Sequence, residues 1–168
     1  MQRRSLLKLG LVSGAVLALA GGAAVLLQPG LEQGRLAPAA RAMFASLGRA
    51  ILQGTLPPEP QAQARAVQGL VERVDAVAQN LPAAVQAELS QLVGLLCTAA
   101  GRRGLAGLAP GWDEATADEV RAALDGMRFS ALALRQQAYH ALHELVSGAY
   151  FSDESTWAAM GYPGPIAV

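Results

Sequence analysis

From Val67 to Leu81 the apolar residues Val67, Leu70, Val74, Val77 and Leu81 step by 3, 4, 3 and 4, the spacing that lines one face of an α-helix and scatters over both faces of a strand. Arg65, Glu72, Arg73 and Gln79 fall opposite that stripe, so the segment 61–80 reads as an amphipathic helix. The same stepping recurs along the chain. Met43, Phe44, Leu47, Ile51 and Leu52 carry it between Pro38 and Leu52, and Val85, Leu89, Leu92, Leu96 and Ala99 carry it as far as Gly101. Val120, Leu124 and Met127 make a shorter stripe, and Leu132, Tyr139, Leu142, Leu145 and Val146 a longer one over 130–146. No segment alternates with period two and no unit of 20 to 50 residues repeats, so the chain is expected to be all-α, a small helical bundle without a major sheet.

Proline and glycine mark where these helices stop. Gly54-Thr55-Leu56-Pro57-Pro58-Glu59-Pro60 holds three prolines and a glycine in seven residues, and proline lacks the amide donor that a helix interior needs. Pro82 suits the first turn of the next helix, and the tight corner at Leu81-Pro82 predicts a helical hairpin. Arg102 to Gly111 contains three glycines and a proline in its interior or at its end and reads as a loop. Thr116-Ala117-Asp118-Glu119 has the form of a capping box, with Thr116 accepting the third helical amide and Glu119 reaching back to the cap amide. The stripe through Met127 pauses near Gly126, and Gly148 is placed to end the last helix.

Ahead of all this stands Arg3-Arg4-Ser5-Leu6-Leu7-Lys8, followed by 19 uncharged residues from Leu9 to Leu27. A basic head stays at the anionic cytoplasmic face while an apolar segment enters lipid, which is the physics of a secretory signal. The arginine pair, with Gln2 before it and Leu6, Leu7 and Lys8 after it, fits the twin-arginine form, whose exporter moves folded cargo. Nineteen residues approach the ~20 that cross a hydrocarbon core as a helix, so the segment can also remain as an anchor. Gly10, Gly14, Gly21 and Gly22 lower its hydrophobicity, and Ala18-Leu19-Ala20 has the small-x-small form of a cleavage site. Ala37-Pro38-Ala39 offers a second such site, unusually far downstream. The organisation expected is a signal or anchor over 1–27, a helical domain over 28–147 and an aromatic, Gly/Pro-rich tail over 148–168.

Three of the 13 basic residues lie in the leader, leaving 10 arginines against 13 acidic residues and a net charge of −3 beyond it. Such a balance lacks the concentrated basic face of a nucleic-acid binder. Cys97 is the only cysteine, which rules out an intrachain disulfide, a Cys-x-x-Cys-His haem attachment and a cysteine-ligated cluster. Among Leu95, Leu96 and Ala99 it reads as a small apolar core residue. Gly101-Arg102-Arg103-Gly104 offers amides and guanidinium groups to an anion, yet no Walker loop or Gly-x-Gly-x-x-Gly word gives it a nucleotide-binding frame. No Ser nucleophile elbow and no base–orienter pair is present, so no catalytic residue is assigned. His140 and His143 with Glu144 stand three and four apart. Two readings are open for them: polar or interfacial packing with Arg135, Gln136 or a partner chain, or a metal or haem site with Met127 or Met160 as a further ligand.

The chain has eight aromatic residues, and Tyr150, Phe151, Trp157 and Tyr162 all lie between Gly148 and Pro165. Rigid aromatic side chains on a restrained loop lose little entropy on docking, so Tyr150, Phe151, Trp157, Tyr162 and the adjoining Pro163 are candidate partner-contact residues. The competing reading is that Tyr150, Phe151 and Trp157 cap the helical core.

The words Gly148-x-Tyr150-Phe151-Ser152-Asp153 and Trp157-x-x-x-Gly161-Tyr162-Pro163-Gly164 resemble the C-terminal region of the gluconate 2-dehydrogenase subunit 3 family, small subunits of periplasmic membrane-bound flavin dehydrogenases. Together they cover about a tenth of the chain. The leader and the short Ala-rich helical body fit that family's layout. The resemblance implies a non-catalytic subunit, itself without a cofactor, bound to a glucose–methanol–choline type flavoprotein that carries FAD, commonly beside a cytochrome c subunit. It implies that the flavoprotein is exported by attachment to this chain, with Arg3, Arg4, Leu6, Leu7 and Lys8 read by the twin-arginine translocase and the complex held at the periplasmic face of the inner membrane. The glycine- and asparagine-rich stretch often found between the two words is reduced here to Glu154-Ser155-Thr156, so the substrate does not carry over. A membrane-tethered helical adaptor for an unrelated periplasmic partner is the alternative.

Overall fold

The computed structural model describes residues 28–162, which are mostly helical. The leader, with Arg3, Arg4, Leu6, Leu7 and Lys8, and the end of the tail from Pro163 lie outside the described residues. The chain opens with a small antiparallel hairpin, β1 (Leu31–Glu32) and β2 (Arg35–Leu36), in which Leu31 faces Leu36 and Glu32 faces Arg35. Gln33 and Gly34 turn it with φ of 51° and 79°, the pair of positive values that a two-residue hairpin loop requires. Strands of two residues are too short to alternate, which is why no period-two signal announces them.

Five helices follow: α1 (Pro38–Ile51), α2 (Pro60–Gln79), α3 (Ala83–Cys97), α4 (Ala117–Arg128) and α5 (Ala133–Phe151). Helix α1 lies in the middle and packs on all four others. Its Met43, Phe44 and Leu47 are fully enclosed, and burying each such side chain contributes about 1.5–3 kcal/mol. Gly48 permits the close crossing of α1 and α2, since a Cβ there would come within 2.4 Å of the enclosed Leu70 side chain. Pro60 starts α2 behind Glu59, whose carboxylate accepts the Ala62 N–H at 2.7 Å. Both bonds of the Thr116–Glu119 capping box are formed, with Thr116 Oγ1 accepting the Glu119 N–H at 3.2 Å and the Glu119 carboxylate accepting the Thr116 N–H at 2.8 Å. The cap amide and hydroxyl of Thr116 thereby hold the Glu119 carboxyl below its ordinary range.

Several expectations are corrected. The corner at Leu81-Pro82 does not fold α2 and α3 into a hairpin. Helix α3 instead turns away to pack on β1, α1 and the segment after it. The face of α2 that goes inside is Val67, Leu70, Val71, Val74 and Ala78, with Asp75 among them, while Val77 is exposed. Helix α4 runs past Gly126 to Arg128, and Leu132 is exposed just before α5. Of the loop expected over Arg102 to Gly111, the first half is helical and Gly107 to Gly111 is not. A short turn, Ala99–Gly101, runs into a π-helix over Arg102–Ala106 that Gly107 ends at φ 79°. It holds because Leu105 and Ala106 are buried, and because Gly101 lies so close to the Leu95 carbonyl that any Cβ would collide with it. Arg102 and Arg103 are thus wound into a helix and form no glycine-loop anion cradle. Trp112 then closes this corner, its indole N–H donating to the Leu96 carbonyl at 2.8 Å. Cys97 is half-buried, and burial pushes its thiol up to about 11, so it stays protonated and unreactive at neutral pH.

Candidate functional site

The C-terminal aromatic words begin inside a helix. Gly148 does not end α5, which continues to Phe151 because Ala149 and Tyr150 fit into the core. The last turn leaves carbonyls without helical partners, and the polar residues of the Phe-Ser-Asp word satisfy them. Ser152 Oγ donates to the Ala149 carbonyl at 2.9 Å and the Asp153 N–H donates to the Tyr150 carbonyl at 3.3 Å. Arg73 reaches across from α2, donating from Nε to the Ala149 carbonyl at 2.8 Å and from a terminal nitrogen to the Asp153 carboxylate at 3.0 Å. A cation at a helix C-terminus also meets the negative end of the helix dipole.

Asp153 then starts the next turn. Its carboxylate accepts the Ser155 hydroxyl at 2.7 Å and the Ser155 N–H at 3.0 Å, opening a 3₁₀ helix over Glu154–Met160. The Thr156 hydroxyl donates to the Asp153 carbonyl at 2.7 Å, and the Trp157 indole N–H donates back to the Phe151 carbonyl at 2.8 Å. Gly161, at φ 70°, brings the chain round so that the Tyr162 N–H donates to the Trp157 carbonyl at 3.1 Å and the two rings meet edge to face at 5.3 Å. The words Tyr-Phe-Ser-Asp and Trp-x-x-x-Gly-Tyr, separated in sequence, are therefore one hydrogen-bonded knot at the end of α5.

The structure divides the aromatic candidates. Tyr150 is a core residue, and burial raises its phenol above the ordinary value. Phe151 and Trp157 are half-buried, and Tyr162 is 48% exposed. Beside the knot an open recess of about 370 Å³ is lined by Arg73, Ala76, Val77, Asn80, Leu81 and Ser152. Arg73 is the residue that sequence reasoning missed, having been assigned only to the polar face of its helix.

The Asp153 carboxyl is held below its ordinary range by the Ser155 hydroxyl, then by the Ser155 N–H and by Arg73. A depressed acid contributes stability that is present above its unfolded value, about 4, and that is lost as pH falls through the lower folded value. The knot is therefore expected to loosen in acid before the core does. Trp157 fluorescence, read in a Trp112→Phe background, should shift as pH falls below the ordinary carboxylate value of about 4, and Asp153→Asn should abolish that separate step.

The histidines sit elsewhere, on α5. Both flank Tyr139, with ring centroids 5.3 Å away for His140 and 5.5 Å for His143. His140 is exposed and His143 half-buried in an open groove it shares with Arg121, Asp125 and Tyr139. Arg135 donates to the Leu105 and Ala106 carbonyls and Gln136 to the Ser130 carbonyl, so neither serves the histidines. Met127 is enclosed in the core. Among the described residues no group of three or more His, Cys, Asp or Glu is placed to hold a metal ion, and no single helix is long and apolar enough to cross a membrane. Compared with known proteins, the chain matches no family model, no curated protein and no solved structure, so the likeness to the small-subunit family rests on its two C-terminal words and its leader.

Proposed function

We propose that this chain is a non-catalytic small subunit that binds, stabilises and escorts a flavin-dependent dehydrogenase of the glucose–methanol–choline type through twin-arginine export to the periplasmic face of the inner membrane. The FAD and the substrate site belong to the partner in this reading, and a cytochrome c subunit is a further candidate member of the complex. The observation that carries it is the C-terminal knot. Ser152, Asp153 and the Trp157 indole spend their polar groups on internal hydrogen bonds, which leaves the Tyr162 ring and the half-buried Trp157 on a hydrogen-bonded base. Preorganised aromatic groups of this kind dock with little entropic cost.

The division of the aromatics gives the reading a specific test. Tyr162→Ala is expected to weaken the complex about 10- to 100-fold, the range of one or two interface anchors, while lowering the thermal midpoint of the isolated chain only slightly, through the lost edge-to-face contact with Trp157. Trp157→Ala should weaken it as much and lower the midpoint by a few degrees, since it also breaks the bond to the Phe151 carbonyl. Titration of the partner against each variant, beside thermal denaturation, measures both. The escort role is tested in cells lacking this chain: the flavoprotein is expected to stay in the cytoplasm, and its normal export would defeat that part of the proposal.

A further inference from the structure

The segment that joins the leader to α1 is folded into the domain and is no linker. Gln28 and Pro29 are exposed, but Gly30 and Leu31 are buried. The Gly30 N–H donates to the Ser90 carbonyl at 3.1 Å and the Leu31 N–H to Ser90 Oγ at 3.0 Å. A Cβ on Gly30 would lie 2.6 Å from Val93 Cβ and 2.7 Å from the backbone of Ser90 and Gly94. A Cβ on Gly94 would lie 2.6 Å from the Gln28 carbonyl oxygen. The two glycines thus let the strap lie backbone against backbone on α3. After the hairpin, the Leu36 N–H donates to Asp75 at 2.7 Å and the Ala37 N–H to the Gly30 carbonyl at 3.0 Å, closing the strap. Leu31, Leu36 and Ala37 are each less than a tenth exposed, and Pro38 and Ala39, though their surfaces are exposed, are held in the first turn of α1.

Resting on the proposed export in the folded state, we infer that Ala37-Pro38-Ala39 is closed to a signal peptidase and that any cut freeing the leader falls before Gly30, as at Ala18-Leu19-Ala20. A peptidase needs accessible backbone free of internal hydrogen bonds. A chain exported unfolded would offer Ala37-Pro38-Ala39 in that form; one exported folded does not. The strap from Gly30 onward accordingly belongs to the domain, whether the leader is removed or retained.

Two measurements test this. The purified full chain is treated with a protease that cuts after small residues, and the products are mapped by mass. Cuts after Ala39 are expected no faster than global unfolding in the same buffer, and Gly94→Val is expected to accelerate them about tenfold or more by lifting the strap. Cutting there well ahead of unfolding in the unaltered chain would overturn the inference, whether or not the variant folds. The intact mass of the chain recovered from membrane and periplasmic fractions is the second readout. A start at or before Gly30 supports the inference, and a start anywhere from Leu31 to Ala40 overturns it. A chain found only in the cytoplasm would defeat the export reading, while the proteolysis would still decide whether the strap is closed.

Discussion

Replacing Arg3 and Arg4 together by lysine is expected to leave the chain, and the flavoprotein with it, in the cytoplasm. The double change keeps both positive charges and removes only the planar guanidinium forks, whose geometry an ammonium cannot reproduce. An ordinary secretory signal or plain membrane anchor needs charge alone at its head, and would tolerate it. Fractionation of cells carrying the double variant, with both subunits detected, therefore separates the readings. Both subunits in the cytoplasm support escort by this leader. Unchanged export of the chain would mean that the arginine pair is incidental.

Asp75→Ala is expected to cost about 2–3 kcal/mol, or roughly 6–12 °C in Tm, the largest effect of a single substitution outside the core. Asp75 is 7% exposed on the inner face of α2. One carboxylate oxygen accepts the Leu36 N–H at 2.7 Å and the other pairs with Arg41. Alanine leaves the buried Leu36 N–H without an acceptor, which accounts for most of the loss. Arg41 is 40% exposed at its side chain and can turn to water, so its share is small. Asparagine retains an acceptor for Leu36 and is expected to cost only about 1 kcal/mol. Thermal denaturation followed by circular dichroism checks both variants. Because the same carboxylate fastens the strap, Asp75→Ala should also hasten proteolysis after Ala39.

Much of this fold can be read from periodicity and punctuation. The stripe of Met43, Phe44 and Leu47 is the centre of the core, Pro60 opens a helix, and Thr116 and Glu119 form the reciprocal bonds their spacing suggests. What eludes the sequence are pairings over long distances along the chain. Asp75 looks like a solvent-facing charge until Leu36 and Arg41 arrive from 39 and 34 residues away. Arg73 likewise acquires its role only when Ala149 and Asp153 come to it. Glycine also misleads in this chain. Gly148 lies inside the last turn of α5 because Ala149 and Tyr150 on its far side are buried, and the first half of the glycine-rich stretch from Arg102 winds into a π-helix because Leu105 and Ala106 are. The aromatic concentration of the tail is legible, but its division into the buried Tyr150 and the exposed Tyr162 depends on where α5 stops.

The most direct test of the central claim is an affinity pull-down of the tagged chain from its native membrane fraction, with an absorbance spectrum of the eluate. The account predicts a large co-purifying subunit with flavin bands, diminished by Tyr162→Ala. A colourless chain eluting alone, under conditions that preserve membrane complexes, would contradict it.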